Sequence, residues 1–249
     1  MNVIIANFSD DSIALIQWAK SQNLSDVHIL YCDTNWASDR WQKRLLEVKK
    51  WLDHLGFKLH ILKPTAGFKE LVLDRASFPS IKFQWCPGFL KGLPILDWLD
   101  QYDENEEGII LMPHRRSMSK LQANLPEFIE ESEHFSDRKL WYPLFQNSQK
   151  EIETLVLLTP FELILTRSEE CQACIFSTKN DLKNLHLKDI EKIKLLEEKI
   201  QKPMFNPQDY DNQQSITDLV ENLKTKKITN ENHYDQFAMG CGWTFGCGL

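Results

Sequence analysis

Between Asn2 and Leu62 the chain alternates between short apolar runs and longer stretches of helical periodicity. NVIIA (2–6) is a β-branched run, followed by a polar turn and the helical pattern DSIALIQWAKSQ. VHILYCD (27–33) is a second strand, SDRWQKRLLEVKKWLDHLG a charged amphipathic helix closed by Gly56, and KLHIL (58–62) a third strand. Strand–helix–strand–helix–strand with such short turns means a parallel sheet covered by helices, because parallel neighbours need a crossover rather than a hairpin. A further helix is expected at PGFLKGLPILDWLDQY, and EGIILMPHRR reads as a fourth strand ending in a basic turn. The expected fold is therefore an α/β protein with an open, mostly parallel sheet and helices on both faces. In such sheets the ligand site lies beyond the carboxyl ends of the strands. That rule collects NFSDDS (7–12), CDTNWASD (32–39) and PHRRS (113–117) at one edge.

From about residue 125 the pattern loosens. PEFIEESEHFSDRKLWYPLF is acidic and aromatic, and SQKEIETLVLLTPFELILTR predicts one or two helices broken at Pro160. LKDIEKIKLLEEKIQ is a charged helix whose stripe of Ile190, Ile193, Leu196 and Ile200 reads as core packing. Residues 203–236 read as loop plus a short helix. This divides the chain into a sheet core at 1–124 and a part at 125–249 that completes it with mainly helical, Cys-containing segments.

A net charge of −7 argues against a protein built to coat nucleic acid, though a local basic pocket remains compatible with it. The longest apolar stretch, Leu155 to Leu165, is interrupted by Pro160 and Glu162, so no membrane span is expected. The start, MNVIIANFSDDS, lacks the basic flank and long apolar core of a secretory signal, which makes the cytoplasm the expected location. In a reducing compartment, six cysteines read as metal ligands or reactive thiols before disulfides. Cys32 lies within a strand and reads as a buried apolar residue. Cys86, Cys171, Cys174, Cys241 and Cys247 sit in polar or glycine-rich settings and need a chemical explanation.

The order of these segments resembles the PP-loop ATP pyrophosphatases, and more closely their phosphoadenylylsulfate reductase branch. NFSDDS stands where the family has a Ser-Gly-Gly-x-Asp-Ser turn, and ILYCDTNW matches its second strand. FPSIKFQWCPGFLKGLPILDWL, HRRSMS, LWYPLF and CQACIF resemble later landmarks in the expected order. Asn7 replaces the first Ser, Phe8 and Ser9 occupy the two Gly positions, and Met118 stands where the reductases have Glu. The resemblance makes 1–124 a nucleotide-binding core and implies ATP, with Mg²⁺, or an adenylyl sulfate as ligand. It places Asn7, Phe8, Ser9, Asp10, Asp11 and Ser12 around the phosphates and Asp33 on the adenosine. Lys91, Arg115 and Arg116 carry positive charge suited to phosphate or sulfate.

For the cysteines two assignments stand. In one, Cys86, Cys171, Cys174 and a tail cysteine hold a [4Fe-4S] cluster, an arrangement similar to the cluster-bearing reductases, and the other tail cysteine is left for chemistry. In the other, Cys171, Cys174, Cys241 and Cys247 form a closed site for Zn²⁺ or a cluster, and Cys86 is a reactive thiol. The implied activity is ATP-dependent sulfur transfer from a persulfide or sulfide donor to a nucleobase, RNA or small-molecule acceptor. Cys86 is the first candidate carrier and a tail cysteine such as Cys247 the second, with Lys91 and Arg115 assisting. Reduction of an adenylyl sulfate by a tail thiolate, and a non-catalytic nucleotide-binding subunit, are the alternatives. A homodimer is compatible with each.

Overall fold

The computed structural model describes residues 1–118, 122–164, 167–207 and 214–225. Among them, β1 (Asn2–Ile5), β2 (Val27–Cys32), β3 (Lys58–Leu62), β4 (Ile109–Leu111), β5 (Phe128–Ser132) and β6 (Arg138–Trp141) form one sheet in the order β3-β2-β1-β4-β6-β5. Neighbours are parallel except β5 and β6, which pair antiparallel with a register shift between Ile129 and Ser132. The α/β fold read from the first 112 residues is the one observed. The acidic, aromatic stretch beyond residue 125 supplies the last two strands, so the sheet runs across the division at residue 124.

Period-two alternation explains why the central strands read as unbroken apolar runs. Val3, Ile5, Leu30, Cys32, Ile110 and Met112 face one side of the sheet, against Ile95, Trp98 and Leu99 of α5 (Leu93–Tyr102). Ile4, Ala6, Ile29, Tyr31 and Leu111 face the other. There they meet α1 (Asp10–Ser21), α2 (Asp39–Leu55) and α6 (Gln149–Leu157). A short α3 (Phe68–Arg75) follows β3.

The region from Trp85 to Tyr102 differs in detail from the sequence reading. The helix expected at 87–102 begins earlier, at α4 (Trp85–Pro87), and passes through a π turn (Gly88–Gly92) before α5. Pro94 has no N–H to return to the carbonyl four residues back, and the wider turn takes up that break. Of the one or two helices read across Pro160, the described residues show one. α6 stops at Leu157, and the Ile164 N–H instead donates to both carboxylate oxygens of Asp10 at 3.1 and 3.0 Å.

A third core cluster joins α7 (Lys179–Lys183), α8 (Leu187–Ile200) and α9 (Ile216–Thr225) to Trp36, Phe68, Trp85 and Cys86. Ile190, Ile193 and Leu196 are buried in it and Ile200 packs on its margin, as the helical stripe predicts. The buried Glu197 carboxylate accepts the Met204 and Ile216 N–H groups, both at 2.9 Å, which ties α9 to α8.

On the face of the sheet that α5 covers, His28 Nδ1 and His60 Nε2 lie 3.1 Å apart, with Asp26 and Lys58 at one end and Trp98 and Tyr102 against the His60 ring. Burial first, then the neighbouring His28 and Lys58 charges, hold the His60 imidazole below its usual pKa. The folded state thus favours neutral His60, and the unfolded chain binds the extra proton more readily. Stability from this group is present above about pH 6.5 and declines as the pH falls below it. Urea midpoints measured from pH 8 to pH 5.5 are expected to fall, with a shallower slope in His60→Gln.

Candidate functional site

The sheet order reverses at β1, which has β2 on one side and β4 on the other, so the carboxyl ends of these strands open the crevice where α/β sheets take ligands. The turn from β1 into α1 sits there. Asn7 Oδ1 accepts from the Ser9 N–H at 2.9 Å and from the Ser12 hydroxyl at 3.1 Å. Ser9 is the N-cap of α1 without a side-chain cap hydrogen bond, which leaves the helix's positive end turned toward the crevice. Phe8 adopts φ 61°. That left-handed backbone costs a side-chain-bearing residue roughly 1–2 kcal/mol. The cost is offset by complete burial of the ring, stacked on Tyr31 at 4.9 Å. The Phe8 and Asn7 carbonyls accept from Arg44 Nε and Trp41 Nε1 of α2, which pins the turn from behind.

The cations expected for phosphate are largely engaged by the protein itself. Arg115 Nε donates to Asp11 Oδ1 at 2.6 Å, and its other nitrogens reach Ser117 and Gln149. Burial raises the Asp11 pKa, and the Arg115 charge acts against that shift. Arg116 is exposed, with its guanidinium 5.1 Å from the Phe145 ring. Lys91 Nζ lies 2.6 Å from Glu170 Oε1, and both side chains are almost wholly buried.

Glu170 belongs to a segment stitched onto the loop after β2. Its carbonyl accepts from Thr34 Oγ1 at 2.6 Å, Ser38 N–H donates to the Glu169 carbonyl, and Gln172 N–H donates to the Trp36 carbonyl. Trp36 and Cys171 form a parallel bridge. Ser168 Oγ stands 3.4 Å from Asn7 Nδ2 and 3.5 Å from Glu170, which links this segment to the β1 turn. Glu170, Ser168 and Arg167 carry no motif in the sequence; the string RSEE just before Cys171 is their one hint.

Two clefts adjoin this segment, and a third lies farther along the sheet edge. The first is lined by Cys86, Cys171 and Cys174 together with Thr34, Lys91 and Glu170, and its volume is about 30 Å³. One water needs roughly 10–15 Å³ on this measure, so the cleft admits a sulfur atom or a water or two but no nucleotide. The second, of about 250 Å³, shares Arg167, Ser168, Cys171 and Cys174 with the first and is otherwise polar. The third, of about 370 Å³, lies at the ends of β2 and β3 between Asp33, Asn35, Lys63, Gly67 and Glu70. Gly67 is required there, since a Cβ would come within 2.9 Å of the Asn35 Cβ.

The structure thus places Asn7, Phe8, Ser9, Asp10, Asp11, Ser12, Asp33 and Arg115 along one sheet edge and gathers Cys86, Cys171 and Cys174 at one cleft. Cys241 and Cys247 lie outside the described residues. Among the described residues no group of three or more His, Cys, Asp or Glu is placed to hold a metal ion. The described thiols therefore do not by themselves form the expected Zn²⁺ or [4Fe-4S] site, and no chemistry is routed through one.

Fold and site define an open α/β protein with a helix N-terminus and a thiol cleft at the carboxyl edge of its sheet. No family model and no curated protein matches the sequence. Among solved structures, a phosphoadenylyl-sulfate reductase from Candida auris, in a phosphate complex, is similar over 65% of this chain and 74% of that one, at 16% identity and TM-score 0.47. Candida glabrata FMN adenylyltransferase with FMN and the ATP analogue AMPCPP is similar over 64% of this chain and 48% of that one, at 12% identity and TM-score 0.39. The same enzyme with FAD and pyrophosphate gives 72% and 53%, at 10% identity and TM-score 0.41. This chain spans about half the length of that adenylyltransferase. Among the described residues no helix is long and apolar enough to cross a membrane.

The Lys91–Glu170 pair makes a direct prediction. Removing one partner strands a buried charge, so Glu170→Gln is expected to cost about 3–5 kcal/mol in chemical denaturation. Lys91→Met combined with Glu170→Gln should recover much of that loss.

Proposed function

We propose that the chain is an ATP-dependent sulfurtransferase that adenylylates an acceptor, releases pyrophosphate, and then inserts sulfur with release of AMP. The observation that carries this reading is the convergence of Cys86, Cys171 and Cys174 on one sulfur-sized cleft beside the nucleotide-type crevice. Family resemblance in the order of motifs supports the nucleotide.

ATP, with Mg²⁺, binds with its adenosine toward Asp33 in the third cleft and its phosphates toward the turn at 7–12 and the α1 N-terminus. The acceptor's carbonyl oxygen attacks the α-phosphorus. An O–P bond forms, the bond to the β-phosphate oxygen breaks, and pyrophosphate leaves. The oxygen is then a good leaving group as AMP. A thiol of the cleft, loaded by a persulfide donor, presents its terminal sulfur to the activated carbon. A C–S bond forms and C–O breaks, releasing AMP. A second thiol attacks the carrier sulfur, which frees the thionated product and leaves a disulfide for an external dithiol to reduce. Cys171 and Cys174 are half-exposed and reach both clefts, whereas Cys86 is buried. This favours one of the Cys-x-x-Cys thiols as carrier and Cys86 as the resolving thiol.

The test mixes protein, Mg-ATP, a persulfide donor and candidate nucleobase, RNA or small-molecule acceptors, and follows pyrophosphate, AMP and thionated product. Cys171→Ser and Cys174→Ser proteins are expected to retain pyrophosphate release while at least one loses persulfide-dependent transfer. Inorganic sulfide, which attacks the activated carbon directly, should restore product in that variant. Sulfite formed from an adenylyl sulfate, with no pyrophosphate from ATP under any condition, would overturn the assignment in favour of a reductase. Nucleotide binding without any turnover would make the chain a binding subunit.

A further inference from the structure

The polar second cleft shares one wall with the thiol cleft and extends away from it. Its wall toward the thiol cleft is Arg167, Ser168, Cys171 and Cys174, so anything bound in it meets the two sulfurs on one side. Its far wall comes from α7 and the residues after it, including Asn180, Asn184 and His186. Arg167 makes no hydrogen bond or ion pair among the described residues, although it borders both clefts. Arg40, by contrast, is committed to Glu169 at 3.2 Å.

A guanidinium with its donors unused calls for two adjacent acceptors on a ligand. Phosphate, carboxylate and the carbonyl–ring-nitrogen edge of an oxopurine all offer them. The rest of the lining chooses among these. Glu169 and Asp181 balance Arg40 and Arg167 in the same lining, which therefore offers a phosphate dianion no net positive charge. Gln172, Asn180 and Asn184 offer both donors and acceptors, which suits a neutral heterocycle with N–H and C=O groups rather than an anion. A volume of about 250 Å³ is several times that of the thiol cleft and is suited to one base or nucleoside rather than a helical stretch of nucleic acid.

We propose that this cleft is the acceptor pocket and that it takes a neutral 6-oxopurine, as base or nucleoside, with Arg167 on its carbonyl oxygen and neighbouring ring nitrogen. This rests on the sulfurtransferase reading for its chemistry but not for its binding. In that orientation the carbonyl to be replaced lies on the wall that carries Cys171 and Cys174. Arg167 both reads the base and holds the oxygen that ATP would activate.

Isothermal titration of the full chain with inosine, guanosine, adenosine and inorganic phosphate, each with and without ATP, tests the pocket. Inosine and guanosine are expected to bind at least about tenfold more tightly than adenosine, the factor that one bidentate contact supplies. They should bind alongside ATP rather than in competition with it. Arg167→Gln should weaken inosine by a similar factor, leave the ATP dissociation constant unchanged, and leave the thermal midpoint within a degree or two of the parent. Equal binding of adenosine, competition by inorganic phosphate, or an Arg167→Gln protein with unchanged inosine affinity would each overturn the pocket assignment. Failure of the parent protein to bind ATP while it still binds inosine would instead count against the sulfurtransferase reading and leave the pocket standing.

Discussion

The buried Lys91–Glu170 pair is the interaction on which the arrangement of the site depends. Neither charge could be tolerated alone at that depth, so the π turn that carries Lys91 and the segment that carries Glu170 must fold against each other. The consequences spread through hydrogen bonds. Thr34 holds the Glu170 backbone, Ser168 connects Glu170 to Asn7, and Asn7 in turn organises Ser9 and Ser12. A turn at the end of the first strand is thus held in place by residues more than 160 positions away. The same docking brings Cys171 and Cys174 opposite Cys86.

The local parts of this architecture were legible in the sequence. Apolar runs with helices between them reveal a parallel sheet because period and chain reversal are local properties, and Lys58–Leu62 is assigned by KLHIL residue for residue. The hairpin strands β5 and β6 were not legible. Phe128–Ser132 contains three acidic or hydroxyl residues and one inward position, and its pairing is set by Trp141 and Leu140 rather than by its own pattern. Past Pro160 the string left one helix or two open, and there the Ile164 N–H goes to the Asp10 carboxylate, a tertiary partner no local pattern reveals.

The site shows the same division. The turn at 7–12 and the Cys-x-x-Cys are visible as strings, and the structure puts them at the sheet edge where strand order leads one to look. Charge pairing is not visible as a string. Lys91 and Arg115 read as ligands for an anion, yet Glu170 and Asp11 reach them across 79 and 104 positions. Phe8 carries a further lesson. The backbone angle that favours glycine is retained by a phenylalanine because its ring gains a buried stacking partner in Tyr31.

The irregular pairing of β5 with β6 has a consequence beyond the site. An open sheet ends in unpaired backbone donors and acceptors, and those can recruit a strand from another molecule. Here the terminal strand is five residues long, carries Glu130 and Glu131, and loses register partway along. An incoming chain would meet like charges and an interrupted ladder at the place where it would have to begin pairing. The β5 edge thereby carries its own stop to edge-to-edge growth, written into the stretch of sequence that looks least like a strand.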